Sequence, residues 1–332
     1  MTANRRVFLK QRPNGMPTTA DFGIEDQPLP EVGKDQVLIR VAAISMDAFI
    51  RTTLDGDGIH GTAPIGGTVM ALGVGEVLTS RFAGLAPGDW VTGPTLAQTH
   101  SLMPGQIFQK IDVSRVQPST YVGVLGMTTG LTAHVGMIQI GKVRAGDTVV
   151  VSGAAGAVGI VACQIAKAKG ARAIGIAGGP QKVAYLRNEI GLDGAVDYKN
   201  ADVGAQLDVL APNGINVYFD NVGGELLDTV LHRIAPEARV VICGAISQYQ
   251  HLDDVRGPKL YLRLAERNAT MGGFTVDHYP QTFAAASAEL VGWMAQGKVR
   301  LPEHVINGID GFPQALITLF TGGHTGKLLV KP

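Results

Sequence analysis

The sequence predicts an α/β protein in two parts, a compact barrel-like β domain and a doubly wound parallel sheet. Three observations predict it. The 332 residues are too many for one core of ordinary size. The first third consists of short β-rich runs closely punctuated by Pro and Gly, with little helical periodicity. After about residue 120, apolar runs of strand length alternate with helical patterns.

In chain order, "QVLIRVAAIS" (36–45) and "GGTVMALGVGEVL" (66–78) read as β-structure, and "PGDWVTG" (87–93) as a turn feeding a strand. "DTVVVS" (147–152), "ARAIGIA" (171–177), "INVYFD" (215–220) and "ARVVIC" (238–243) suit strands buried on both faces. Helical patterns at 158–169, 181–190 and 225–234 lie between them and imply right-handed crossovers. The tail adds a helix over 284–299, a shorter one over 312–323 and a closing strand in "GKLLVKP".

Composition excludes several function classes. Lys and Arg together number 28, as do Asp and Glu, so no net charge draws the chain to nucleic acid or to an anionic membrane. The two cysteines, Cys163 and Cys243, exclude a disulfide framework and make a reducing compartment the expectation. "MTANRRVFLKQRPNG" has no apolar core of signal-peptide length, and no apolar span is long enough to cross a membrane. A soluble cytoplasmic protein is expected.

The strongest local signal is "VVVSGAAGAVGIVACQIAKAKG" (149–170). A buried strand runs into Gly153, Gly156 and Gly159 and then into a helix carrying Ile160, Cys163 and Ile165. Small residues let the backbone approach a pyrophosphate, and the helix start offers unpaired N–H groups. The spacing G-x-x-G-x-x-G departs from G-x-G-x-x-G, and Ala154, Ala155 and Ala157 compensate by being small. With a second strand at the right distance, dinucleotide binding is expected.

Roughly 20 residues after such glycines, an acid normally holds the ribose 2′-OH of NAD. Here that place falls on Gly178 and Gly179, in "IAGGPQK". Pro180 suits the first turn of a helix burying Val183, Leu186 and Ile190, and Lys182 lies in that turn against the helix dipole. A 2′-phosphate would reverse that penalty. The absent acid, the room and the cation together point to NADP(H).

Zinc chemistry needs about three protein ligands from Cys, His and Glu, and a structural site about four. The first 120 residues contain no cysteine, and His60 and His100 read as surface or loop histidines. No metal site is expected. At this point a resemblance becomes specific: the chain is similar to the zinc-independent medium-chain dehydrogenases/reductases, and closely to the prostaglandin/leukotriene reductase and 2-alkenal double-bond reductase group. It is carried by "PLPEVGKDQVLIRVAAISMDAFIR", "GAAGAVGIVACQIAKAKG", "KVAYLRNEIGLDGAVDYK", "YFDNVGGELLD", "VVICGAISQY" and "GKLLVKP", spread over nearly the whole chain.

The resemblance implies a GroES-like, partly open β-barrel catalytic domain from 1–124 and 300–332, with a Rossmann NADP-binding domain, 125–299, inserted between. It also implies a homodimer. By motif, Gly156, Ala157, Val158 and Gly159 would line the pyrophosphate, and Lys182 and Tyr198 the 2′-phosphate side. Asn221 would bind the cofactor after the fourth strand. Cys243, Gly244, Ala245, Ile246, Ser247, Gln248 and Tyr249 would run beneath the nicotinamide half, and Phe274, Thr275 and Val276 would meet the carboxamide by backbone groups. Read on residue type alone, Tyr198 suits a cross-strand aromatic, Asn221 a turn former and Cys243 a small buried hydrophobe. Two positions depart from the family pattern. His324 in "GHTGK" stands where Asn is common, and Phe49 in "MDAFIR" replaces a tyrosine near the substrate.

Without a metal, a hydride acceptor must be activated by its own conjugation, as an α,β-unsaturated carbonyl is. Tyr249, with an ordinary phenol pKa of about 10, is the candidate donor to the developing enolate or the cofactor ribose, or else a packing aromatic. The expected function is reduction of enones and enals by NADPH. Quinone reduction of the zeta-crystallin type, or NADP binding without turnover, are the alternatives.

Overall fold

The computed structural model describes residues 3–56, 60–250 and 254–332. They divide into two compact units, Met1–Gly123 with Glu303–Pro332, and Val124–Pro302. None of the described helices is long and apolar enough to cross a membrane.

The first unit is mostly β. The strands β1 (Ala3–Leu9) and β2 (Phe22–Pro28) form an antiparallel pair. A larger sheet contains β3 (Gln36–Ser45), β4 (Gly73–Ser80), β5 (Trp90–Gly93), β6 (His100–Pro104) and β7 (Gln109–Ile111). The run at 66–78 is a strand only from Gly73. Before it, Val69 donates its N–H to Val7 and accepts from Ala97, so the backbone is satisfied by isolated contacts instead of a ladder. His100 is not a surface histidine: it lies on β6 and is 4% exposed, and burial lowers its pKa.

The second unit contains β8 (Thr148–Ser152), β9 (Arg172–Ala177), β10 (Gly194–Asp197), β11 (Ile215–Asp220), β12 (Ile234–Ile242) and β13 (Thr270–Gly273). All pair in parallel, in the order β10-β9-β8-β11-β12-β13. This is the doubly wound order, and its direction reverses between β8 and β11, where such sheets place ligands. The helix expected to end at 234 stops at Leu231, because Ile234 already pairs with Ile215 in β12. Pro236 cannot donate to a ladder and Glu237 adopts a φ of 58°, so the β11–β12 register shifts there.

The first unit is completed by β14 (Glu303–Asn307) and β15 (Lys327–Lys331), with β15 antiparallel to β3. Its core joins both chain segments: Val7, Ile44 and Ile50 pack with Phe312, Leu316 and Val330.

Candidate active site

The sheet order brings the ends of β8 and β11 side by side, and the turn after β8 begins the site. Gly153 adopts a φ of 59°, which glycine tolerates, and Ala154 donates its N–H to the Ile176 carbonyl at 3.0 Å. The helix Ala157–Ala168 then starts with Gly156 as its cap. A Cβ on Gly159 would lie 2.3 Å from the Gly153 carbonyl oxygen and 2.7 Å from the Ala154 Cα. Only glycine lets the helix sit this close to the turn. Gly156 gives its N–H to the Gly153 carbonyl at 2.9 Å, and Ala157 and Val158 stay partly exposed while Gly159 is buried, at the positive end of the helix dipole where first-turn N–H groups have no intrahelical partner. An anion fits there.

The end of β9 is the second part. Gly179 has a φ of 96°, and a Cβ placed on it would meet nothing within 4 Å. Against Gly178, a Cβ would meet the Tyr198 ring at 2.8 Å, so the phenol end of that side chain lies directly against a glycine. Pro180 opens the helix Pro180–Asn188, which buries Leu186 and leaves Val183 only half-buried, while Ile190, also buried, lies just past the helix end. Lys182 is half-buried in its first turn, and its pKa is lowered by burial and then by the charge of Lys199. Lys199, next to Tyr198, is a second cation at this strand end. The nearby carboxylate, Asp197 on β10, accepts the N–H groups of Gly179 at 2.8 Å and Lys199 at 3.0 Å. It is committed to the backbone of the turn. What remains is an open position flanked by two like charges, which a phosphate would relieve.

The third part lies after β11 and β12. Asn221 donates its side-chain amide to the Ser152 carbonyl at 2.7 Å and its N–H to the Ser152 hydroxyl at 2.8 Å. Residues 243–249 are stitched to 220–222: Cys243 and Gly244 donate to the Asp220 carbonyl, Ile246 to that of Asn221 and Ser247 to that of Val222. Gln248 accepts the N–H of Arg256 at 2.8 Å. The Tyr249 hydroxyl accepts the Ala245 N–H at 3.2 Å, which leaves its own proton to donate. Burial raises the Tyr249 pKa, so the phenol stays protonated. The Cys243 thiol is pushed up to about 12 by burial and by Asp220, and it behaves as a small hydrophobe. After β13, Phe274 stacks edge-on with Tyr279, while the Thr275 and Val276 carbonyls accept from His278 and Tyr279 in a tight turn.

The structure therefore gathers the 156–159 turn, Asn221 and 243–249 at the switch point, with Lys182 and Tyr198 at the neighbouring strand ends. His324 lies in the other unit, half-buried in the turn before β15. Residues missed from sequence are Lys199, Asp197, Ser152 and Asp220. For Asp220 there was a signal, an acid closing the apolar run "INVYF".

The chain is similar to known proteins. Residues 5–111 match the family described as the N-terminal domain of oxidoreductase, and residues 157–292 the one described as zinc-binding dehydrogenase. The 2-alkenal reductase (NADP(+)-dependent) of Nicotiana tabacum is 34% identical over 99% of this chain and 97% of its own length. The chain belongs to the medium-chain dehydrogenase/reductase family. Within the family, the NADPH-dependent curcumin reductase of Escherichia coli is 32% identical over 99% of this chain and 96% of its own. The crystal structure of CurA in complex with NADPH, from Vibrio vulnificus, superposes with a TM-score of 0.93 at 34% identity, covering 98% of each chain. Among the described residues no group of three or more His, Cys, Asp or Glu could hold a metal ion.

Proposed function

We propose that this protein reduces the carbon–carbon double bond of α,β-unsaturated ketones and aldehydes with NADPH. The observation that carries the cofactor choice is the open Gly179 position beside Lys182 and Lys199, with the nearby acid Asp197 turned onto the backbone. The substrate class follows from relatives of nearly full length whose names include 2-alkenal reductase and curcumin reductase. NADPH, when bound, would supply the hydride that reaches the β-carbon of the acceptor, and a proton from water would complete the α-carbon.

The chain's own residues bind and orient. Gly156 lines the pyrophosphate as the cap, the first-turn N–H groups of Ala157, Val158 and Gly159 take it, and Lys182, Tyr198 and Lys199 take the 2′-phosphate side. Asn221, residues 243–249 and the backbone of Phe274, Thr275 and Val276 hold the nicotinamide half. His324 donates where the family commonly has Asn. Tyr249 gives its phenol hydrogen bond to the oxygen on which enolate charge collects, and a protonated phenol is the right donor for that task. Residues 1–124 with 300–332 form the catalytic domain and 125–299 the NADP-binding domain of a cytoplasmic homodimer, which sedimentation of the purified chain checks.

NADPH oxidation against a panel of enones, enals and quinones tests the reading. Turnover of enones with new hydrogen at the β-carbon is expected. Turnover confined to quinones, or NADPH binding with no turnover of any acceptor, would replace it.

A further inference from the structure

We infer that Asp220 is a positioning residue of the cofactor site: its buried negative charge, beyond its shape, fixes the turn after β8 and the segment 243–249. The inference rests on the reading of this sheet edge as the NADPH site.

Asp220 ends β11 and is 0% exposed. One carboxylate oxygen accepts the hydroxyls of Ser152 and Tyr218, each at 2.8 Å, and the N–H of Val222 at 3.0 Å. The N–H of Gly223 is shared by both oxygens, at 3.1 and 3.2 Å. Every donor that reaches it among the described residues is neutral. Its main-chain carbonyl takes the N–H groups of Cys243 at 2.9 Å and Gly244 at 3.1 Å. One residue thereby ties together the ends of β8, β11 and β12.

An ionised carboxylate only accepts. Both hydroxyls must therefore turn their protons toward Asp220, and the Ser152 oxygen must present a lone pair to the Asn221 N–H at 2.8 Å. A single proton arrangement satisfies the whole network. An asparagine of the same shape can present either an acceptor or a donor, so the arrangement loses its uniqueness. It would also spare the cost of burying a charge with no cation beside it. Stability alone does not call for a carboxylate at this place. Its field reaches the neighbours: burial and then Asp220 push the Tyr218 phenol well above its ordinary range.

The test uses the full chain with NADPH as the probe. Asp220→Asn and Ser152→Ala each weaken NADPH about tenfold. Because both act through one network, the double variant is no weaker than the poorer single. Leu207→Ala, in the core on another helix of the unit, lowers Tm and leaves NADPH affinity unchanged. Asp220→Asn binding NADPH as the parent does would overturn the inference, and if that variant does not fold, Ser152→Ala decides alone. Equal weakening by Leu207→Ala at a matched loss of Tm would also overturn it, since the effect would be general loosening. A parent chain that fails to bind NADPH defeats the cofactor reading itself.

Discussion

Lys182 carries the sharpest consequence at the level of single residues. Its ammonium sits in the first turn of a helix, half-buried, with Lys199 close enough to lower its pKa below 10.5. A hydrogen bond to a charged group contributes about 1.5–3 kcal/mol, so Lys182→Ala should weaken NADPH about 10- to 150-fold. NADH has no 2′-phosphate and should change by less than about twofold. Equal losses for both cofactors would remove Lys182 from the 2′-phosphate site. The pH dependence has a definite sign. A neutral amine does not attract phosphate, so NADPH affinity is full near about pH 7, where the phosphate is ionised. It falls as pH rises through the lowered Lys182 pKa, while NADH affinity stays flat, and fluorescence titration of both cofactors reads the difference. Tyr249 behaves oppositely. Burial keeps its proton on, so it contributes no alkaline limb below its ordinary pKa of 10.0. Tyr249→Phe should lower kcat for an enone about hundredfold. An unchanged kcat leaves the ring a packing aromatic.

The turn and helix after β8 act as one element. Gly159→Ala places a methyl 2.3 Å from a backbone carbonyl oxygen that has no rotamer to yield, so the helix Ala157–Ala168 must move away from the turn. Such overpacking costs roughly 1–3 kcal/mol, and NADPH affinity should fall together with Tm. A variant that melts lower yet binds NADPH normally would show that the helix start does not form the pyrophosphate seat. This element was legible in the sequence because its signal is local: a strand, small residues at fixed spacing, then a helix. β3 and β11 match their apolar runs end for end for the same reason. By contrast, β10 and β13 have four residues each, and pairing with β9 and β12 makes them strands, more than any pattern of their own. The hidden part of the site is also non-local. Asp220 meets Ser152 across 68 residues and Asp197 meets Gly179 across 18, and no spacing rule joins such pairs. The burial of His100 is non-local likewise, since Asn4, 96 residues earlier, accepts its N–H on β6.

At the scale of the whole chain, the first unit is assembled from both ends of the sequence, so something must hold the returning segment. Hydrogen bonds do part of it: Leu329 pairs with Ser45, and Met46 donates its N–H to Leu328 at 3.1 Å. An ion pair adds to these bonds and to the shared apolar core. Lys327, 1% exposed, meets Asp47, 7% exposed, at 2.7 Å, and Ser45 donates its hydroxyl to the other Asp47 oxygen. Breaking a buried pair costs more than the pair itself contributes, because one charge stays behind. Lys327→Met should therefore destabilise the first unit by about 3–5 kcal/mol. Replacing both partners, Asp47→Leu with Lys327→Met, removes the stranded charge and should recover most of that loss. A protein of two units need not unfold in one step, so amide hydrogen exchange in β3 and β15 is the proper readout. It should quicken in the single variant and slow again in the double. If the single variant exchanges as slowly as the double, the ion pair is not the tie. Leu328 and Val330, packed with Phe312 and Leu316, would then hold the last strand by apolar burial alone.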